Sequence, residues 1–322
     1  MTLDLLICPG CRTLSADRLD VRTLERAGDV LACECGRRYP IVDGIPIVMT
    51  DPGSYVRGEI ATIVERDLAP EIAALLVEDG PDDAPYPRLL EHLSVYLDAH
   101  WGDHADPPAE PGYALAPFVE RIAALPRVEL AVELGCSAGR VLAELPAEHV
   151  VGLDLHAGTL RRARRLLAGE RVAFARRMIG RHYAPATIDP AGPRHPTVTL
   201  VCADALDPPL VPEVYDRVVA LHLLDSVANP RQLLSVIDGL VARGGEIVVS
   251  SPYAWQSSVT HDRERFGGAD PAAALVATLT EGAGLRSRYT ILDETEIPWT
   301  LRRDARCAVH YRSHYVRARK GT

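Results

Sequence analysis

"AVELGCSAGR", residues 131–140, is an apolar run that breaks into small residues directly after an acid. Glu133, Gly135, Ser137 and Gly139 stand where a buried strand should end. Glycine adopts backbone conformations closed to other residues and lets a ligand come close to the chain. The stretch therefore reads as a strand, "VELAVELGC" (128–136), feeding a tight turn and then a helix, "RVLAEL" (140–145). The same alternation continues outward. "HVVGLDL" (149–155), "VTLVCAD" (198–204), "YDRVVALHLL" (215–224) and "GEIVVSSPY" (245–253) read as further strands. "TLRRARRLL" (159–167) reads as a helix, and "PRQLLSVIDGLVARGG" (230–245) as a helix closed by its glycines. Strands alternating with helices predict an α/β fold with a parallel, doubly wound sheet. Ligands of such sheets sit beyond the carboxyl ends of the strands, at the switch point.

A second acid, Asp154, follows Glu133 at the end of the second predicted strand. An acid there can accept both hydrogens of a ribose diol. The turn lacks the G-x-G-x-x-G of dinucleotide sites. Its pattern, ExGxxxG followed by GxD, resembles class I methyltransferases that use S-adenosylmethionine, and the likeness runs over about residues 110–320. It implies a Rossmann-like sheet and a cofactor site that includes Glu133, Gly135, Ser137, Gly139, Asp154, Leu155, Asp204 and Ala205, with Asp204 near the adenine.

The first fifty residues are different. Cys8 and Cys11 form "CPGC", and Cys33 and Cys35 form "CEC". Two close thiol pairs in a hairpin-rich segment suit tetrahedral zinc. So short a segment builds little core, so a metal would supply folding energy. Four thiolates leave no open position, which makes such a site structural. The "CPGC" start and "YPIVDGIP" finish (39–46) resemble the small zinc-ribbon protein that activates tRNA and protein methyltransferases. That likeness implies either a partner surface or docking on the chain's own body. Residues 1–52 are thus expected to be a zinc-ribbon-like domain, 53–110 a helical linker or lid, and 111–322 the methyltransferase domain. The linker carries helical patterns at 59–77, interrupted by Pro70, and at 88–101, with breaks at 78–87 and 104–113. Tyr96 and His100 share one face of the second pattern and are candidates to line a pocket.

Composition narrows the function. The 322 residues carry a net charge of −9, against the basic excess usual in duplex nucleic-acid binders. Lys320 is the only lysine. No apolar run reaches membrane-spanning length, and the first ten residues lack a signal-peptide pattern, so a cytoplasmic setting with reduced thiols is expected. Cys136 and Cys202 read as buried small residues.

The acceptor is read from the C-terminal third. "SSPYAWQSSVTHDRERFGG" (250–268) and "ETEIPWTLRRDARCAVHYRSHYVRARK" (294–320) resemble the methyltransferase domain of the ovothiol-biosynthesis enzyme, as does the 169–197 insertion. Phe266 stands where those relatives have Trp, and the leading Cys segment lies outside that domain. The resemblance implies N-methylation of an imidazole or a related heteroaromatic nitrogen on a small molecule. His222, Asp225 and Tyr253 are the catalytic candidates. Tyr96, His100, Trp255, Arg303 and Arg306 are the substrate-binding ones, the arginines as a carboxylate clamp. A protein, peptide or tRNA acceptor, or a non-catalytic binding subunit working through the Cys segment, are the competing readings. The last arginines are expected on a strand, exposed and solvated.

Overall fold

The computed structural model describes residues 3–15, 18–64, 68–78, 85–109, 114–192 and 197–322. Seven strands make the central sheet: β1 (Val128–Leu134), β2 (Ala147–Asp154), β3 (Val198–Cys202), β4 (Tyr215–Leu221), β5 (Val241–Ser251), β6 (Tyr289–Arg302) and β7 (Ala308–Lys320). Their order is β3-β2-β1-β4-β5-β7-β6. The first five are parallel, and β7 runs antiparallel to both β5 and β6. The fold is the Rossmann-like α/β sheet the sequence predicts.

Side chains alternate between the two faces because the strand period is two. Ala131, Val150, Val219 and Val248 belong to the core on one face, and Val132, Val151, Val218 and Val249 to the core on the other. On the first face lie α1 (Pro85–Trp101), α2 (Ala116–Ala123), α3 (Arg140–Glu144) and α4 (Ala157–Leu167). On the second lie α5 (Pro230–Leu240) and α6 (Pro271–Glu281). In α4, Leu160, Ala163, Leu166 and Leu167 are buried at helical spacing, and His156 caps its start by accepting from the Thr159 amide.

The helix expected over 230–245 stops at Leu240, and the glycines fall inside β5 instead. Lys320 explains the stop: its Nζ donates to the carbonyls of Asp238 and Val241 at 2.6 and 3.0 Å. A cation on orphan carbonyls at a helix end is favourable. Gly244, at φ +75°, lies in the bulge where the β4–β5 register shifts. The terminal arginines lie on a strand as expected, with Arg312 and Arg319 exposed, but they are not all simply solvated. Arg317 and Arg319 converge on Glu246 at 2.8–3.0 Å, with Arg217 at 3.4 Å. Burial alone would raise the Glu246 carboxyl, but these guanidiniums outweigh it and hold it down to about 2.

Within the 169–197 insertion, Val172–Ile179 and His182–Ile188 form an antiparallel hairpin, joined by Ala105–Asp106 as a third strand. Arg176 of this hairpin grips Asp98 of α1 in a buried ion triad completed by Arg302 of β6. The triad ties three distant segments together, and removing Asp98 would leave two buried guanidiniums without their carboxylate. Helices also occupy Pro52–Gly58, Ile60–Val64 and Pro70–Glu78, the last beginning at the proline expected to break the pattern. Of the breaks predicted at 78–87 and 104–113, residues 79–84 and 110–113 lie outside the described residues, as do residues 193–196 of the insertion, and α1 already begins at Pro85 within the first.

The Cys-bearing segment packs on the main sheet. Val48 N donates to Cys202 O at 3.0 Å, Ile7 N to Pro209 O at 2.9 Å, and Val211 N to Leu5 O at 3.0 Å. Arg12 pairs with Asp207 and donates to Pro208 O at 2.5 Å. Leu6, Leu31, Tyr39 and Val48 share a core with β1 to β5.

Candidate active site

The turn after β1 is held by its neighbour strand. The amides of Gly135 and Cys136 both donate to Leu153 O, at 2.7 and 3.0 Å. Gly135, Ser137 and Gly139 all have positive φ, at +77°, +45° and +79°. A Cβ on Gly139 would come within 3.2 Å of Ala163 and Leu167 of α4, so this glycine serves both turn and helix packing. The Ser137 amide donates to Asp154 Oδ2 at 2.9 Å, and the His156 amide to Oδ1 at 2.8 Å. Asp154 is thereby fixed at the end of β2. Burial pushes its carboxyl up, and the two amides work against that. Glu133 is buried, its Oε2 has no hydrogen-bond partner among the described residues, and burial followed by the nearby Asp154 pushes its carboxyl well up.

These groups open into a cavity of about 680 Å³. Glu133, Gly135, Ser137 and Asp154 line one end. Another wall comes from α1, whose Arg88, Glu91, His92, Val95, Tyr96, Ala99 and His100 form an i, i+3, i+4 stripe, with His92 stacked on His156 beside Asp154 at 4.7 Å. His222 and Asp225 follow β4, Pro252, Ala254 and Gln256 follow β5, and Trp299, Arg303 and Tyr311 come from β6, its end and β7.

The acceptor end is aromatic. His222 stacks on Trp299 with ring centroids 3.9 Å apart and planes 5° apart, and Trp299 stacks on Tyr311 at 4.9 Å. Phe118 meets His222 edge-on at 4.7 Å. His222 sits at φ +52°, and its Nε2 meets Ser313 Oγ at 3.0 Å. Burial, then the neighbouring His100, pulls His222 down to about 3. Burial, then Arg140, does the same to His100, whose Nδ1 accepts the Arg140 amide at 3.4 Å. Both rings are therefore neutral at physiological pH. Asp225 is buried with each oxygen engaged: Ser251 Oγ donates to Oδ1 at 3.0 Å and the Ala254 amide to Oδ2 at 2.8 Å. It organises the loop after β5.

The structure brings Tyr96, His100, His222, Asp225 and Arg303 to the cavity. Tyr253, Trp255 and Arg306 do not line it. Tyr253 donates or accepts at His314 Nδ1 (2.8 Å), and Trp255 packs on Phe266, both with the core on the opposite sheet face. Their positive φ values, +53° and +26°, accompany the turn that gives the cavity to Pro252, Ala254 and Gln256 instead. Arg306 is exposed, and its amide closes a turn on Asp304 Oδ1. Gly139, Leu155, Asp204 and Ala205 are also outside the lining. Asp204 is exposed and accepts the Leu206 amide at 2.8 Å, while Leu155 is 51% exposed beside Asp154. Trp299, Tyr311, His92 and Arg88 were not singled out from the sequence. Stepping back by fours from His100 and Tyr96 reaches His92 and Arg88, and Trp299 stands in the "PWTLRR" run.

The four N-terminal thiols converge. All Sγ atoms lie within 4.8 Å of one another, with Cys8–Cys35 at 3.9 Å and Cys11–Cys33 at 3.7 Å. The Tyr39 hydroxyl lies 3.1 Å from Cys8 Sγ, and Arg37 Nη1 donates to Cys35 Sγ at 3.6 Å.

Residues 132–249 match the family model of a methyltransferase domain. The chain contains a class I S-adenosylmethionine-dependent methyltransferase domain. No curated protein sequence matches it. Similar solved structures include a candidate methyltransferase from Bacillus halodurans, at 16% identity over 64% of this chain and 98% of that one, TM-score 0.44. A SAM-dependent methyltransferase from Methanosarcina mazei shares 14% identity over 64% and 97%, TM-score 0.42. The N-methyltransferase NodS from Bradyrhizobium japonicum shares 16% over 75% and 100%, TM-score 0.39.

Proposed function

We propose that this domain methylates a nitrogen of a small heteroaromatic molecule, in the first instance an imidazole of histidine-like type. The observation that carries the reading is the wall of His222, Trp299 and Tyr311, a stack of flat rings in a cavity lined by both polar and apolar side chains. Such a wall suits a planar acceptor, and the volume is that of an ordinary small-molecule site.

The opposite end suits S-adenosylmethionine. A buried carboxylate oxygen without a partner, on Glu133, awaits a cation or a donor group, and Asp154 is held in place by backbone amides. Glu133, Gly135, Ser137 and Asp154 would hold the molecule, with the exposed Leu155 offering an apolar face. When bound, it supplies a methyl group on a sulfonium, already activated for transfer.

The chain's residues then have three tasks. They orient the acceptor nitrogen toward the donor end at near-attack distance, exclude water, and avoid opposing a ring that gains positive charge. His222 and His100, both neutral, meet the last requirement. They serve as hydrogen-bonding and stacking groups and do not act as strong bases. A neutral imidazole nitrogen needs none. Asp225 keeps Pro252 and Ala254 against the acceptor.

The Cys cluster suits structural zinc. A tetrahedral site with Zn–S near 2.3 Å places sulfurs about 3.8 Å apart, and the two close pairs, 3.9 and 3.7 Å, match. The module's contact with β3 supports a bracing role over recruitment of a protein or RNA partner. Reduced thiolates fit a cytoplasmic setting.

The test is calorimetric titration of S-adenosylhomocysteine into zinc-loaded protein, then mass spectrometry of methyl transfer to histidine, a thiol-bearing histidine, a peptide and tRNA. Transfer to an imidazole nitrogen is expected. Transfer to peptide or tRNA alone overturns the small-molecule reading. Elemental analysis should give one zinc per chain, lost in Cys11→Ser together with several degrees of melting temperature.

A further inference from the structure

Six residues lining the cavity carry formal charge: Arg88, Glu91, Glu133, Asp154, Asp225 and Arg303. Five are committed. Glu133 and Asp154 belong to the donor end, and Asp225 holds the loop after β5. Glu91 Oε1 takes Arg303 at 2.8 Å and Arg177 at 2.5 Å. Of the two cations in the lining, Arg88 alone makes no hydrogen bond or ion pair among the described residues; the other unpaired charged group is Glu133 at the donor end. Two guanidiniums, Arg177 and Arg303, thus share the single Glu91 carboxylate, and Arg88 stands three residues before it on α1, a local excess of positive charge on a chain of net charge −9.

We propose that Arg88 recognises a carboxylate on the acceptor, so that the substrate is an acidic heteroaromatic molecule. The inference rests on the small-acceptor reading above. It reassigns the anion-binding role expected of Arg303 and Arg306, since Arg303 is already neutralised by Glu91 and Arg306 lies outside the cavity. The geometry of α1 sets a ruler. Arg88, His92, Tyr96 and His100 are four residues apart on one stripe, and each step is about 6 Å along the helix. His100 is at the buried end and Arg88 at the exposed end. An amino-acid-sized molecule spans roughly one such step. A carboxylate met at Arg88 therefore leaves the ring beside His92, one step in, with Tyr96 the next residue of the stripe. A planar fork of donors suits a carboxylate, with no other partner in the way.

The experiment uses the full-length protein saturated with S-adenosylhomocysteine. Four compounds are titrated calorimetrically: imidazole-4-propionate, phenylpropionate, and the primary amide of each. The wild type should bind each acid about 10- to 100-fold more tightly than its amide, the range of one charge-assisted contact. Arg88→Ala should erase that preference while leaving amide binding unchanged, and Arg88→Glu should invert it. Arg88 is exposed on its helix, so these variants should fold, and unchanged S-adenosylhomocysteine affinity verifies it. Equal binding of acid and amide by the wild type, or a preference that survives Arg88→Ala, overturns the proposal. An acid preference that does not distinguish imidazole from phenyl supports Arg88 and counts against the imidazole reading. If none of the four binds, the aromatic wall is no acceptor site and both fall.

Discussion

At the donor end of the cavity, the groups come from one turn, residues 133–139, and one acid, Asp154, held by that turn's own amides. At the acceptor end they come from the segments after β4 and β5, the β6–β7 hairpin and α1, which also reaches the donor end through His92 on His156. Glu91 and Arg303, which meet there, are 212 positions apart. The first end is backbone geometry, and the second is side chains placed by tertiary packing. A site of the first kind tolerates almost no substitution, because its positive φ values exclude most residues. A site of the second kind can change its preference one side chain at a time without disturbing the turn.

The sharpest break of this contrast would come from Gly139→Val. Left-handed strain and crowding against Ala163 and Leu167 should cost about 3 kcal/mol of stability and weaken S-adenosylhomocysteine binding at least ~100-fold by calorimetry, a loss far above one ordinary contact. Near-wild-type affinity would show that the turn is not the donor site.

A second effect is a slope. His222 is pulled down to about 3 in the folded protein, whereas an unfolded histidine titrates near 6.5. Between those values the unfolded chain binds the extra proton. The contribution of His222 is therefore fully present above about pH 6.5 and declines as pH falls, by about 1.4 kcal/mol per pH unit. The raised carboxyls of Glu133 and Asp154 act in the opposite sense, so the comparison is made by difference. His222→Asn, chosen because Asn accepts positive φ, should flatten the stability–pH profile in chemical denaturation between pH 6.5 and 4.5. An unchanged slope would mean His222 titrates normally.

The contrast is sharpened by Tyr311→Ala, which should raise KM for a heteroaromatic acceptor about tenfold, the worth of one aromatic contact, while S-adenosylhomocysteine affinity stays within about twofold. A joint loss of both would erase the division between the two ends. Smallest of all, Tyr253→Phe should leave kcat within about threefold, since positioned acid–base groups contribute 100-fold or more and this hydroxyl meets His314 outside the cavity. A hundredfold fall would return Tyr253 to the chemistry.

That division also governs what could be read from the sequence. The donor turn is local, so Glu133, Gly135, Ser137 and Asp154 stand out by spacing. The strand–helix alternation was equally legible, because buried parallel strands are short apolar runs. The end of α5 was not. A glycine pair looks like a helix stop, and nothing near residue 240 announces that Lys320 supplies the cap. Tyr253 and Trp255 failed for a related reason. Side chains alternate faces, so a turn at Pro252 that shifts the alternation by one exchanges which residues see the cavity. Trp299 and Tyr311 become neighbours only through the β6–β7 pairing, and Arg88 only through the seating of α1.

The docking of Ile47 and Val48 along Cys202 has a consequence beyond the site. A sheet has two open borders, and each is a template on which a second chain can pair. Here the β6 border carries Asp293, Glu294, Glu296 and Pro298, which discourage such pairing. β3, "VTLVC", has no such guard of its own, being five residues with no charge and no proline. The Cys-bearing segment caps its last residue, through the Ile47–Cys202 bridge and the Val48 amide on Cys202 O. Removing that segment would uncover this end of an apolar, hydrogen-bond-ready border, and the truncated protein should self-associate even where its remaining core stays folded.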